Sequence, residues 1–161
     1  MVILIADDER LVRFAIKSML QEILGDSGDI FLEAANGRDM VKMCQERKPD
    51  VAFVDIRMPY LNGLEAIAES KKYSEATEYV IVSGYSDFEY AQKGIQLGIS
   101  EYNLKPVDGK QMQPVLEKLQ EKVKRQKHES NSRFQLRLMN AFHYYSTIGL
   151  EEFEPEPEDK N

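Results

Sequence analysis

Val51-Ala52-Phe53-Val54-Asp55 is a run of four apolar residues that stops on a carboxylate, and its reading decides the fold. A short, wholly apolar run suits a strand buried on both faces, as in parallel sheets. The pattern recurs on either side. Ile3-Leu4-Ile5-Ala6 runs into Asp7-Asp8-Glu9, Tyr79-Val80-Ile81-Val82 into Ser83-Gly84, and Tyr102-Asn103-Leu104 into Lys105-Pro106. As neighbouring parallel strands, these runs deliver Asp7, Asp8, Asp55, Ser83 and Lys105 to one edge of one sheet. Ligands of open α/β sheets bind there, beyond the carboxyl ends of the strands.

Between the runs the apolar period changes to that of a helix. Leu11/Val12, Ala15/Ile16, Met19/Leu20 and Ile23/Leu24 form one stripe, which Gly25-Asp26-Ser27-Gly28 ends. Ile30-Phe31-Leu32 is a predicted second strand. Asn36-Gly37 leads into a helix with Met40, Val41 and Cys44 on its buried side. Met58-Pro59-Tyr60-Leu61-Asn62-Gly63 is a turn-rich loop before a helix reaching about Lys72. Ser86 or Asp87 is the expected cap of the next helix, with Phe88, Ala91 and Ile95 inward and Gly98 at its end. The fifth strand is expected over about 99–104, and a long helix from near Gly109. Strands alternating five times with helices imply right-handed crossovers and an α/β fold with helices on both faces of a parallel sheet.

The 161-residue length suits one domain, 1–127, plus an extension, 128–161. His128-Glu129-Ser130-Asn131-Ser132 reads as a weak hinge. Phe134, Leu138, Ala141/Phe142, Tyr145 and Ile148 recur at helical spacing, and the last residues are acidic, rich in proline and expected to be disordered. A net charge of −7 argues against general affinity for nucleic acid. The one cysteine, Cys44, excludes an internal disulfide and reads as a small core residue. No basic leader precedes the first strand, and no stretch is long enough to span a bilayer, so a cytoplasmic location is expected.

Taken singly, Asp7 reads as a helix cap, Ser83-Gly84 as a turn and Lys105 as a surface lysine. Their coincidence at successive strand ends points to shared chemistry. Carboxylates packed together take up protons or a cation. Magnesium suits them, being a hard cation that takes oxygen ligands and keeps several waters. Asp55 is the candidate nucleophile, because a carboxylate can attack phosphorus to give an acyl phosphate. Lys105 and Ser83 are placed to hold phosphoryl oxygens.

The set Asp7-Asp8-Glu9, Val54-Asp55-Ile56-Arg57-Met58-Pro59 with Asn62-Gly63, Val82-Ser83-Gly84, and Tyr102 with Lys105-Pro106 resembles the receiver domain of bacterial two-component response regulators. The resemblance covers about residues 1 to 125. It implies a flavodoxin-like (CheY-like) sheet of order 2-1-3-4-5 and a cis Lys105–Pro106 bond. It implies that Asp55 accepts a phosphoryl group from a sensor histidine kinase. Asp8 and Asp55 would bind Mg2+ directly, Asp7 through water, and Arg57 through its backbone carbonyl. Ser83 and Lys105 would contact the phosphoryl group, and Tyr102 would be an aromatic switch. The segment Ser83-Gly84-Tyr85-Ser86-Asp87-Phe88-Glu89-Tyr90-Ala91 looks like receivers that precede AraC-type DNA-binding domains. No recognition-helix pattern follows residue 127, so DNA would be reached only through an output domain outside this chain.

Further expectations concern output and lifetime. A face built from the fourth helix, fifth strand and fifth helix would form a phosphorylation-dependent homodimer or dock a partner. Bulky Arg57 and Tyr85 would hinder water at the acyl phosphate. A stand-alone receiver acting by protein contacts is the alternative. A metal-dependent phosphohydrolase is disfavoured because Arg57 stands where such enzymes carry a second acid. His128 and His143 lack metal-binding spacing.

Overall fold

The computed structural model describes residues 1–148. Its strands and helices alternate as β1 (Val2–Ala6), α1 (Arg10–Leu24), β2 (Ile30–Ala34), α2 (Gly37–Arg47), β3 (Val51–Val54), α3 (Gly63–Ser70), β4 (Glu78–Ser83), α4 (Phe88–Leu97), β5 (Glu101–Leu104) and α5 (Gly109–Ile148). All pairings are parallel and the strand order is β2-β1-β3-β4-β5, as the resemblance implied. The expected acidic tail lies outside the described residues.

Every residue of β3 and β4 is buried. Side chains alternate across a strand, so both faces of the sheet must be covered. On one face Leu4, Ala6, Ala52, Val54, Tyr79 and Ile81 join Met40, Cys44, Leu64 and Ile67 in a single core cluster. Ile3, Ile5, Phe53, Val80 and Val82 alternate with them and are buried too, as are Ile16 and Leu20 of α1 and Met112 and Leu116 of α5. Cys44 has the buried position expected of it.

Local chemistry sets the helix starts. Asn36 and Asn62 accept the amides of Asp39 and Glu65, and Asp87 accepts that of Glu89. Each satisfies a donor that the first turn leaves unpaired. Gly98, at φ 72°, closes α4 in the left-handed region.

The expected inward face of α4 needs correction. Phe88 and Ile95 are 78% and 75% exposed. Gly94 is the buried residue of this helix, and a Cβ there would lie 2.6 Å from Ile99 Cδ1 and 3.4 Å from Ile81 Cδ1. The helix thus approaches along its glycine, with Tyr90 and Leu97 packed on the core, and its large apolar residues turn outward. Leu11 of the α1 stripe is likewise 81% exposed.

By compactness the chain divides into Met1–Glu121 and Lys122–Asn161. Residues 128–132, expected as a hinge, are helical within α5. In the second unit Phe134, Leu138 and Phe142 are exposed on that helix.

Candidate functional site

The sheet register assembles the site. Ala6 pairs with Val54, Val54 with Ile81, and Ser83 with Leu104, so Asp7, Asp55 and Lys105 each follow a strand end on the edge where β4 closes with Ser83. Backbone bonds extend the ladder past the strands. The Asp55 amide donates to Ala6 O (2.8 Å), the Asp7 amide to Ala34 O (3.1 Å), and the Lys105 amide to Ser83 O (2.9 Å).

The three carboxylates converge as expected. One oxygen from each of Asp7, Asp8 and Asp55 lies within 4.8 Å of the others. Asp7 and Asp55 are buried and Asp8 faces solvent. Lys105 Nζ is 2.7 Å from Asp7 Oδ2 and 3.4 Å from Asp55 Oδ1. One ammonium thus contacts two of the three carboxylates. Burial raises the pKa of Asp55, Lys105 opposes that rise and Asp7 adds to it. For Lys105 burial acts downward, but contact with Asp7 and Asp55 prevails and its pKa is raised. Octahedral Mg2+ at about 2.1 Å from each ligand spans about 4.2 Å between opposite oxygens. The carboxylates lie close to that span, all donors are hard oxygens, and the exposed Asp8 leaves one side open to water. The donor set fits a divalent cation.

Glycine makes this closeness possible. Gly63 N–H donates to Ile56 O at 2.7 Å, and a Cβ on Gly63 would sit 2.1 Å from Asp55 O. The loop after β3 thus lies against the backbone of Asp55 itself, an approach that only a residue without a side chain permits. Gly37 admits Leu61 of the same loop, where a Cβ would come within 2.2 Å of Leu61 O.

Ser83 is buried, and its Oγ accepts the Tyr85 amide at 3.3 Å. Tyr102 is partly buried against the core, and its hydroxyl donates to Tyr85 O at 2.6 Å. Burial raises the pKa of that phenol, with the Ser83 hydroxyl acting in the opposite direction. Arg57 places its guanidinium 3.5 Å from the centroid of the Tyr85 ring. The Lys105–Pro106 bond is cis.

Two features escaped the sequence reading. The phenol of Tyr102 ties to the backbone of Tyr85, a partner that the motif did not name. Arg13 donates from Nη1 to Asp7 O at 2.8 Å and to Asp8 O at 3.4 Å. Its one sequence signal is a cation one turn into α1, beside the apolar stripe.

A parallel sheet with an acidic, lysine-bearing pocket beyond its strand ends defines the class, and comparison with known proteins agrees. The family described as response regulator receiver domain matches residues 3–117, and the chain belongs to it. A relative from Bacillus subtilis, the uncharacterized transcriptional regulatory protein YesN, is 32% identical over 125 residues. That match covers 77% of this chain and 33% of the relative. The transcriptional regulatory protein HptR of Staphylococcus aureus is 33% identical over 118 residues, covering 73% of this chain and 45% of HptR. The chain thus spans less than half the length of these two relatives. Among solved structures, the receiver domain of AraT, a response regulator from Geobacillus stearothermophilus, has a TM-score of 0.67 at 30% identity. That match covers 78% of this chain and 97% of the other. The chain is a receiver domain of two-component response regulators, with transcriptional regulators among its relatives. Among the described residues no helix is long and apolar enough to cross a membrane.

Proposed function

We propose that this receiver is a cytoplasmic switch charged on Asp55 by a sensor histidine kinase. The observation that carries the reading is the convergence of Asp7, Asp8 and Asp55 with Lys105 in contact with two of them. Asp55 Oδ attacks the phosphorus of a phosphohistidine. The P–N bond breaks, its electron pair returns to the imidazole, and an acyl phosphate forms. Asp8, Asp55 and the Arg57 carbonyl would hold Mg2+, with Asp7 assisting through water. When bound, the cation neutralises charge on the phosphoryl oxygens. Lys105 leaves Asp7 to hold one of those oxygens, and Ser83 Oγ donates to another. Loss of the signal is attack by water on phosphorus with cleavage of the P–O bond to Asp55. The protein is a phosphoacceptor, not an enzyme with turnover on small substrates.

The reading includes a docking surface for the kinase. A groove of about 450 Å³, lined by Leu11, Val12, Ala15, Ile16, Pro106 and Val107, lies beside Lys105. Exposed Leu11 and Phe14 on α1 extend this apolar surface. Output uses another face. Ser83, the loop after it and Tyr102 form the two-state element, and exposed Phe88, Ile95 and Leu104 on α4 and β5 form a surface that pairs two copies or recruits a partner in one state. Transcription is the inferred output, through a DNA-binding domain outside this chain.

Incubation with acetyl phosphate and Mg2+, followed by mass analysis, tests the reading. A stoichiometric adduct mapped to Asp55 and absent from Asp55→Asn is the expected result. Continuous turnover without an adduct indicates a phosphohydrolase, and no reaction indicates a scaffold whose chemistry is unused.

A further inference from the structure

The acidic loop is held from behind by one side chain. Arg13 sits in the first turn of α1, where its amide makes a 3.1 Å bond to Glu9 O. Its Nη1 donates to the carbonyls of both Asp7 and Asp8, while Nε donates to Glu33 Oε2 on β2 at 3.1 Å. The guanidinium side chain is only 13% exposed. Glu9, the N-cap of α1, gives no side-chain cap. In that setting Arg13 ties the loop to both the helix and the edge strand. Engaging two successive carbonyls fixes two peptide planes, and with them the directions in which the Asp7 and Asp8 side chains leave the backbone.

We propose that Arg13 is a positioning residue for the divalent cation, aiming Asp7 and Asp8 through their backbone; the proposal rests on the reading that these carboxylates bind Mg2+. Groups that orient metal ligands without touching the metal commonly govern affinity. The effect of charge alone has the opposite sign. Arg13 is a cation, so its removal by itself favours binding of another cation. Weaker binding after its loss therefore reports lost geometry. Lysine cannot replace it fully, because a single ammonium lacks the fork that reaches the loop and Glu33 together. Lys17 supplies the control. Its Nζ lies 3.5 Å from Glu33 Oε1, an ion pair with β2 and not with the acidic loop.

The test is calorimetric titration of the full chain with MgCl2, paired with acetyl phosphate labelling across Mg2+ concentrations. Arg13→Gln is expected to weaken Mg2+ binding on the order of tenfold. Arg13→Lys, which keeps the charge and guards against a folding defect, falls between it and the parent. Lys17→Gln binds as the parent does or tighter. At saturating Mg2+ the labelling rate of Arg13→Gln returns to within about twofold of the parent, since aim and not the nucleophile was lost. Equal Mg2+ affinity in parent and Arg13→Gln overturns the proposal while leaving the site assignment intact. Labelling that stays slow at saturation also overturns it. A parent that binds no Mg2+ sinks the site assignment and this proposal together.

Discussion

The Arg57 guanidinium covers the Tyr85 ring at 3.5 Å, joining the loop after β3 to the loop after β4. Each residue stands two places beyond a site residue, Asp55 or Ser83, where bulk was expected to hinder water at the acyl phosphate. A cation–π contact at an exposed site contributes about 0.5–1 kcal/mol. Tyr85→Ala or Arg57→Ala is therefore expected to speed phosphate loss from Asp55 by roughly 2- to 5-fold. The decay of isolated phosphoprotein gives the rate, and an unchanged decay removes the stack from the account.

Tyr102 reaches the same roof through its hydroxyl, which donates to Tyr85 O. Tyr102→Phe keeps the ring and deletes one hydrogen bond, a loss of about 0.5–1.5 kcal/mol. Its acceleration of phosphate loss is expected to be comparable to that of Tyr85→Ala. Because the two share one structure, the double variant should decay no faster than Tyr85→Ala alone. Strict additivity in that cycle separates the switch residue from the roof.

Ionised Asp55 is an expense to the metal-free fold. Burial raises its pKa, Lys105 opposing and Asp7 adding, so its protonated form is favoured on folding. A raised carboxylate pKa means stability is lost as pH rises through the folded-state value and regained as pH falls below it. In chelator at neutral pH, Asp55→Asn is expected to melt higher than the parent. The gap closes toward acid pH, and added Mg2+ narrows it by stabilising only the parent. Thermal melts at two pH values, with and without Mg2+, check the sign.

Lys105 lies 2.7 Å from Asp7 Oδ2 and 3.4 Å from Asp55 Oδ1, where its charge would oppose a bound cation. Lys105→Met is expected to tighten Mg2+ binding several-fold while slowing acetyl phosphate labelling by at least about tenfold. Opposite movement of the two readouts is the signature. A parallel loss of both would mark simple damage to the pocket.

Gly63→Ala is expected to destabilise the fold by about 2 kcal/mol or more, because the new methyl meets the backbone of Asp55 at 2.1 Å. Gly84→Ala meets nothing within 4 Å and has no positive φ, so its effect stays within about 0.5 kcal/mol. Chemical denaturation of the pair distinguishes close approach from a general intolerance of alanine.

The sheet was legible because β3 and β4 are buried on both faces, and a short apolar run ending in one polar residue encodes little else. The convergence of Asp7, Asp8, Asp55 and Lys105 followed from the order of the strands. Contacts made sideways were not legible. Gly94 set the packing of α4 by having no side chain, whereas hydropathy drew attention to Phe88 and Ile95. Arg13 acts through carbonyls, and a sequence does not display which backbone oxygens face a guanidinium. Ser130-Asn131-Ser132 suggested a hinge from weak helix formers, yet a long helix carries a few such residues at a cost of tenths of a kcal/mol each.

The Lys105 amide is bonded to Ser83 O, one rung past the paired strands. That rung clamps the roots of the hydroxyl and the amine to each other. Whatever anion enters, these two groups must answer by turning their side chains while their backbones hold still. Displacement that travels outward then falls to the unladdered stretch 84–87, whose residues are all exposed and whose far end begins α4.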